Sequence, residues 1–343
     1  MFVKKRSGRT HPTHATGAAL VLSLLLASSV CEPLHAQVAF TDFCATPSPT
    51  AGQMSEVEAA LVRMPESSAE GQIVIPLVIV TVTQGSEPAA AAEQVRRQID
   101  RLNTAFAAAR VSFVLKDSRT VLLDLPDAPA DSKSAFFQAT QIYNKAHPCA
   151  DDCFEAPLEI VILKAKKIGA ILGASMNWPW QHALNRQLPQ RVFLHEGALP
   201  GSGHAQYGEG KTAVHEVGHW LGLVHTFQNG CAAPGDFAGH VQRAPVYGCK
   251  PGNRSCGATS GVDPVHNFMS YSDDVCLREF SARQIHRIHQ MASAFRPHLI
   301  QEPVATSRGP SPARTDVDGD VFTRRGSNPV RDTPADINRV FRE

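Results

Sequence analysis

The sequence predicts an α+β domain: strands and a helix first, a histidine-bearing helix past the middle, then a loop-rich, cysteine-bearing region closed by a helix. Three observations predict it. Gln72–Thr83 (QIVIPLVIVTVT) and Leu158–Leu163 (LEIVIL) are β-branched runs with the length and texture of buried strands. Val95, Ile99, Leu102 and Phe106 recur at steps of four, three and four, the signature of one apolar helix face. Thr212–Phe227 (TAVHEVGHWLGLVHTF) sets five chemically special residues at a spacing that only a helix followed by a turn gathers at one point.

In chain order, Lys4, Lys5, Arg6 and Arg9 precede an apolar run from Ala18 to Val30, and Leu34-His35-Ala36 has the form of a signal-peptidase site. The run is shorter than the about 20 residues a membrane span needs. Ser28-Ser29-Val30 before Cys31 is a poor lipidation signal, so residues 1–36 are expected to be an export signal without an anchor. Residues 37–70, rich in Ala, Ser, Pro and Glu, are expected to be a pro-segment or linker, with Arg63 as a candidate processing position. After the first strand, Pro88 marks the approach to the amphipathic helix; Val111–Leu115, Leu158–Leu163 and Gln190–Leu194 are further strands. A helix enters near Lys211. Ser281-x-x-Gln284 is a capping box, followed by the stripe Ile285, Ile288, Ala292 and Phe295, and Pro297 stops that helix. Residues 301–343 are a low-complexity stretch expected to be disordered; Asp316–Asp320 lacks the Glu-terminated ladder of a calcium loop.

Composition narrows the function. A chain of 343 residues that is 43% hydrophobic holds one large domain or two modest ones, not a collagen, a coiled coil or a wholly disordered protein. Charge is balanced, 33 Lys+Arg against 32 Asp+Glu, so no surplus of cations is set aside for nucleic-acid phosphates. Cys231, Cys249, Cys256 and Cys276 crowd a Gly- and Pro-containing stretch, which in an oxidising compartment reads as a disulfide-stapled subdomain with three available connectivities.

The chemistry lies in His215, Glu216, His219, Gly222 and His225, the pattern HExxHxxGxxH. Residues four apart share a helical face, so His215 and His219 can hold one Zn²⁺, with Glu216 beside them to take a proton from a zinc-activated water. On a continuous helix His225 would lie roughly 15 Å from His215 along the axis, far outside a metal bond. The chain must turn back, and Gly222 is where a left-handed backbone conformation costs least.

This pattern resembles the metzincins, zinc endopeptidases with a methionine turn below the metal. Asn267-Phe268-Met269-Ser270-Tyr271 is similar to that turn. By resemblance Met269 is the hydrophobic base under the ligands, and Tyr271 approaches the metal site and steadies the tetrahedral intermediate. IPLVIV at 75–80, QIDRLNTAF at 98–106, LEIVIL at 158–163, KTAVHEVGHWLGLVHTF at 211–227 and NFMSYSDDVCLREFSARQ at 267–284 resemble the pappalysin (ulilysin-like) family in order. The resemblance implies a catalytic domain over 71–300: a twisted mixed sheet with a backing helix and an active-site helix (211–222), then a stapled subdomain with the Met-turn (267–271) and a terminal helix. It also implies disulfides Cys231–Cys256 and Cys249–Cys276, and substrate pairing with an edge strand. The family's Asp-Thr-Pro segment, which helps shape a calcium site, is replaced here by His240-Val241-Gln242-Arg243-Ala244-Pro245, so Asp236 alone is a weak calcium ligand.

If Cys149 pairs with Cys153, Cys44 is a free thiol in the presumed pro-segment, loosely similar to a cysteine switch that occupies the open zinc position. A bridge from Cys44 to Cys149 or Cys153 is the other reading. The expected function is secreted, zinc-dependent hydrolysis of protein or peptide substrates, extracellular, or periplasmic in a Gram-negative cell. The alternative is an inactive zinc-binding homologue serving as a binding module, although both Glu216 and Tyr271 are present.

Overall fold

The computed structural model describes residues 43–64, 71–83, 90–123, 132–163 and 171–301. The leader 1–36, Pro88 and the tail from 302 lie outside the described residues. All described residues belong to the unit Phe40–Glu343; the unit Met1–Ala39 lies outside them.

Twelve elements follow in chain order among the described residues: α1 (Ala51–Arg63), β1 (Gln72–Thr83), α2 (Ala92–Phe106), β2 (Val111–Leu122), α3 (Ser132–Ala146), β3 (Leu158–Leu163), β4 (Gly173–Ser175), α4 (Pro179–Leu184), β5 (Arg191–His195), α5 (Lys211–Trp220), α6 (Ala282–Phe295) and β6 (Ile300–Gln301). The strands form one mixed sheet in the order β2-β1-β3-β5-β4, with β6 pairing antiparallel to the start of β1. β1, β2, β3 and β5 run parallel, and β4 returns antiparallel at the edge.

Period-two alternation sends the strand side chains to two apolar layers. Ile73, Ile75, Leu77 and Ile79 of β1, with Ile160 and Ile162 of β3, face Leu102 and Phe106 of α2, Val214 and Val217 of α5 and Ile288 of α6. Val78, Val80 and Val82, with Val161 and Leu163, face Phe136, Ala139 and Tyr143 of α3 on the other side. Burying each such Leu, Ile or Val contributes roughly 1.5–3 kcal/mol, so the sheet is the rigid floor on which α5 rests.

The sequence anticipated β1, β3 and the α2 and α6 faces closely. The second strand runs on to Leu122, well past Leu115, because parallel pairing with β1 continues across an irregularity at Leu77/Val78. The strand expected at Gln190–Leu194 is shifted by one residue. Five elements had no expectation: α1, α3, β4, α4 and β6. Helix α1 lies in the segment read only as pro-segment or linker; Thr50 and Gln53 close a capping box at its start.

Beyond α5 the chain makes few regular elements and is held by cross-links. Cys231 is bonded to Cys256 and Cys249 to Cys276; a third bond, Cys149 to Cys153, lies earlier, between α3 and β3. Cys44 is a buried free thiol.

Candidate metal centre

Helix α5 is buried along its whole length beneath the edge of the sheet. It ends at Trp220, two residues before the expected limit, in a turn made by Gly222. The Gly222 N–H donates to His219 O at 2.8 Å, the Leu223 N–H donates to Gly218 O at 2.9 Å, and Gly222 has φ +92°. This is the Schellman arrangement, which closes the helix and reverses the chain. It returns His225 to the helix: its Nε2 lies 3.0 Å from His219 Nε2, which lies 3.1 Å from His215 Nε2.

These contacts are not hydrogen bonds. His215 Nδ1 lies 2.7 Å from Phe268 O and His219 Nδ1 lies 2.7 Å from Leu223 O, so each ring commits its proton to a carbonyl and turns a lone pair inward. Burial lowers the pKa of His215 to about 4 and holds those of His219 and His225 well below the usual imidazole value, keeping the rings neutral. Neutral imidazole nitrogens converging from three buried rings form a donor set that fits a single divalent cation such as Zn²⁺. Among the described residues, this is the group of three or more His, Cys, Asp or Glu side chains able to hold a metal, and its fourth member is Cys44.

The Met-turn supports the set from below. Phe268 supplies the carbonyl that orients His215, and Met269 is buried under α5, where a Cβ on Gly218 would lie 2.5 Å from its sulfur. Asn267 donates to Gln284 Oε1 at 2.6 Å and accepts from Gln284 Nε2 at 3.1 Å; the same Gln284 side chain completes the capping box at the start of α6. Tyr271 Oη lies 3.2 Å from His225 Nε2, and burial holds its phenol well above the ordinary range, so it remains a donor at neutral pH.

Gly222 gives a direct test of the turn. A side chain there is strained at positive φ, and its Cβ would meet Met291 Cγ at 2.7 Å. Gly222→Ala is expected to lose at least about 1–2 kcal/mol of stability, the cost of a left-handed residue, and to weaken metal retention because His225 follows the turn. Denaturant unfolding with metal analysis checks both; an unchanged midpoint and metal content would refute it.

The segment before α1 runs directly across this centre. Leu172 N–H donates to Phe43 O at 3.1 Å and Ala45 N–H to Gly173 O at 2.9 Å, so residues 43–45 pair parallel with the sheet edge at β4. Phe43 is fully buried, its ring 4.9 Å from Tyr207, 5.0 Å from Tyr271 and 5.2 Å from His215. Cys44 Sγ is within 4.8 Å of the three histidine nitrogens and accepts the Thr46 N–H at 3.3 Å. Thr46 Oγ1 donates to Glu216 Oε2 at 2.7 Å and accepts the Ser175 N–H at 2.7 Å. Glu216 is wholly buried, and burial raises its pKa to about 7. All the expected residues of the centre therefore meet: His215, His219 and His225, Glu216 beside them, Tyr271 above His225 and Cys44 in front. Phe43 and Thr46 join them without having been singled out, because their partners lie far along the chain.

Asp274 was also missed. Its Oδ2 accepts the Glu209 N–H at 2.9 Å and the Lys211 N–H at 3.4 Å, fastening the post-Met-turn chain to the first turn of α5. Lys211 Nζ donates to the Asp274 carbonyl. Burial raises the Asp274 pKa from 3.8 to about 6. A carboxyl raised in the folded state contributes stability that is fully present below its unfolded value and is lost as pH rises through about 6. Asn keeps the accepting oxygen and removes the charge. Asp274→Asn is therefore expected to gain stability over the parent on going from pH 5 to pH 8, by about 1–1.5 kcal/mol. Melting curves of both proteins across that range check this; parallel curves would refute it.

Asp236, the candidate calcium ligand, has its carboxylate taken by its own turn. Oδ1 accepts from the Ala238 and His240 amides at 3.0 and 2.8 Å, and Oδ2 lies 2.6 Å from His240 Nδ1.

Comparisons with known proteins agree with this geometry. Residues 172–293 match the family Peptidase_M43, described as Pregnancy-associated plasma protein-A. The chain is 48% identical over 113 residues to Extracellular metalloprotease 1 of Coccidioides posadasii, covering 31% of this chain and 41% of the relative. It is 47% identical over 102 residues to an extracellular metalloprotease of Pyricularia oryzae, covering 29% and 36%. The match thus spans about two fifths of the length of these curated relatives. Among solved structures, a promirolysin mutant from Tannerella forsythia superposes with a TM-score of 0.57 at 19% identity, over 74% of this chain and 94% of that one. Mature mirolysin from the same organism, in complex with a cleaved peptide, gives 0.51 at 23%, over 67% and 93%. At such identities the likeness shows a shared fold.

Proposed function

We propose that this chain, a member of the pappalysin family by its segment 172–293, is a secreted zinc-dependent endopeptidase built as a latent precursor. The observation that carries the reading is the inward convergence of three neutral histidines beside a buried, proton-accepting Glu216. His215, His219 and His225 would hold Zn²⁺, which when bound polarises a scissile carbonyl and lowers the pKa of water to about 7.

The remaining work falls to the chain itself. Once Thr46 is withdrawn, Glu216 Oε2 accepts the proton of the attacking water and passes it to the leaving amine. Tyr271 Oη donates to the developing oxyanion, a contact of a kind worth roughly 3 kcal/mol. The edge of β4, now paired with residues 43–45, offers its backbone to an extended substrate. Secretion is supported by the leader-like sequence of residues 1–36, by the disulfides and by the extracellular naming of the relatives. No described helix is long and apolar enough to cross a membrane.

Cys44 is the latency residue in this reading. Its sulfur stands where a fourth ligand would approach, and the Thr46 amide supports it. The test is hydrolysis of quenched-fluorescent peptides by the protein after cleavage in the 64–71 connection and removal of the segment before it, with and without a zinc chelator. Activity that the chelator removes and added zinc restores is expected. Metal-loaded protein freed of that segment that hydrolyses nothing would favour the binding-module alternative.

A further inference from the structure

The segment that crosses the metal centre continues into α1, and α1 has a seat of its own. Met54, Val57 and Leu61, at steps of three and four, are buried against Trp178 and Trp180 of the α4 region, Val224 beyond the Gly222 turn, and Met291 and Phe295 of α6. Arg287 Nη2 donates to Glu58 Oε1 at 2.6 Å, and the Arg287 side chain is only 3% exposed. Trp178 joins this groove to the metal centre: its indole N–H donates to Pro47 O at 3.2 Å, its ring meets His219 edge-on at 5.5 Å and it stacks on Trp180 at 5.1 Å.

We propose that this groove is a docking site for an amphipathic helix carrying a central acid, and that its occupant after maturation is the excised segment 43–64 itself, which rebinds in trans as an inhibitor. This rests on reading that segment as removable. Three facts commit the groove to this occupant. The apolar face of α1 already fills it. Glu58 supplies the acid that meets the buried Arg287 guanidinium, which also reaches Gly222 O at 3.4 Å. The Thr50–Gln53 capping box lets α1 start its helix from its own residues, so less order is lost on rebinding. Without α1, two tryptophans, Met291, Phe295 and a guanidinium lacking its carboxylate would share one surface, the composition of an interface anchor. Cys44 and Thr46 then block the chemistry while α1 supplies the hold.

The experiment uses the full chain with a specific protease site placed within 65–70. After cutting, the fragment is expected to co-elute with the body on gel filtration and to keep peptide hydrolysis low. Glu58→Arg is expected to weaken retention about tenfold or more, Cys44→Ala to leave retention in place, and Glu58→Arg with Arg287→Glu to recover it. A peptide of residues 48–64, lacking the metal-centre contacts, is expected to displace the fragment and to shift tryptophan fluorescence. Loss of the wild-type fragment on cutting would overturn the proposal, as would equal retention of wild type and Glu58→Arg, or no competition by the peptide. Retention is read without catalysis. A protein that keeps the fragment on cutting but cleaves no peptide once the fragment is stripped from it would overturn the protease reading and leave this one standing.

Discussion

Glu216→Gln is expected to lower kcat of the matured protein by about 10²–10⁴-fold, the range for removing a general acid–base group, while melting temperature and zinc content stay near the parent values. The side chain is fully buried, so the replacement must match its shape, and Gln does. Gln also preserves the latent fold, since its amide oxygen can accept the Thr46 hydroxyl that donates to Glu216 Oε2 at 2.7 Å. It removes the basic oxygen, leaving no group at that position able to take a proton from water and return it. The decisive comparison is kcat/KM on one peptide with zinc measured on the same samples. A variant that keeps its zinc and works within threefold of the parent would remove Glu216 from the chemistry.

The second large effect concerns the uncut chain. Cys44 and Thr46 obstruct different groups: the sulfur faces the three histidines and the hydroxyl engages Glu216. Cys44→Ala in the uncut chain is therefore expected to raise activity only part of the way toward the matured rate, and Cys44→Ala with Thr46→Val to raise it about tenfold or more beyond that. The two are joined by the 3.3 Å Thr46 amide contact to the Cys44 sulfur, so their effects should not simply add. No gain from Cys44→Ala would remove the thiol from latency. A full matured rate from that single change would leave Thr46 without a role.

What the sequence made legible is what local spacing can encode. His215 and His219 are one helical turn apart, and Gly222 announces the reversal that returns His225; both readings need only an α-helix and one glycine. The Ser281–Gln284 box and the stripe behind it likewise lie within a single helix. Thr46 was invisible because its partner Glu216 is 170 residues away. Asp274 was hidden for the same reason, since its carboxylate acts on amides 63 and 65 residues earlier. Strand β4 is a Gly-Ala-Ser tripeptide with no β-branched residue, a strand only because β5 offers it an edge. Helix α3 puts Thr140 on its buried face, which blurs its stripe. Helix α1 carried usable signals, a Thr50–Gln53 box and the Met54, Val57, Leu61 spacing, but the bulk composition of residues 37–70 outweighed them.

Gln284 belongs to two structures at once. One amide oxygen caps the first turn of α6 and accepts from Asn267, while the amide nitrogen donates back to Asn267, whose Oδ1 also receives the Met269 N–H at 2.9 Å. The floor of the metal centre and the start of the last long helix therefore share a single hinge pin. Fraying of α6 from its N-terminus must let go of Asn267, and with it the turn that presents the Phe268 carbonyl to His215. Release of an ion held there and unwinding of the C-terminal helix would thereby be coupled, and the integrity of α6 would be legible at the metal centre.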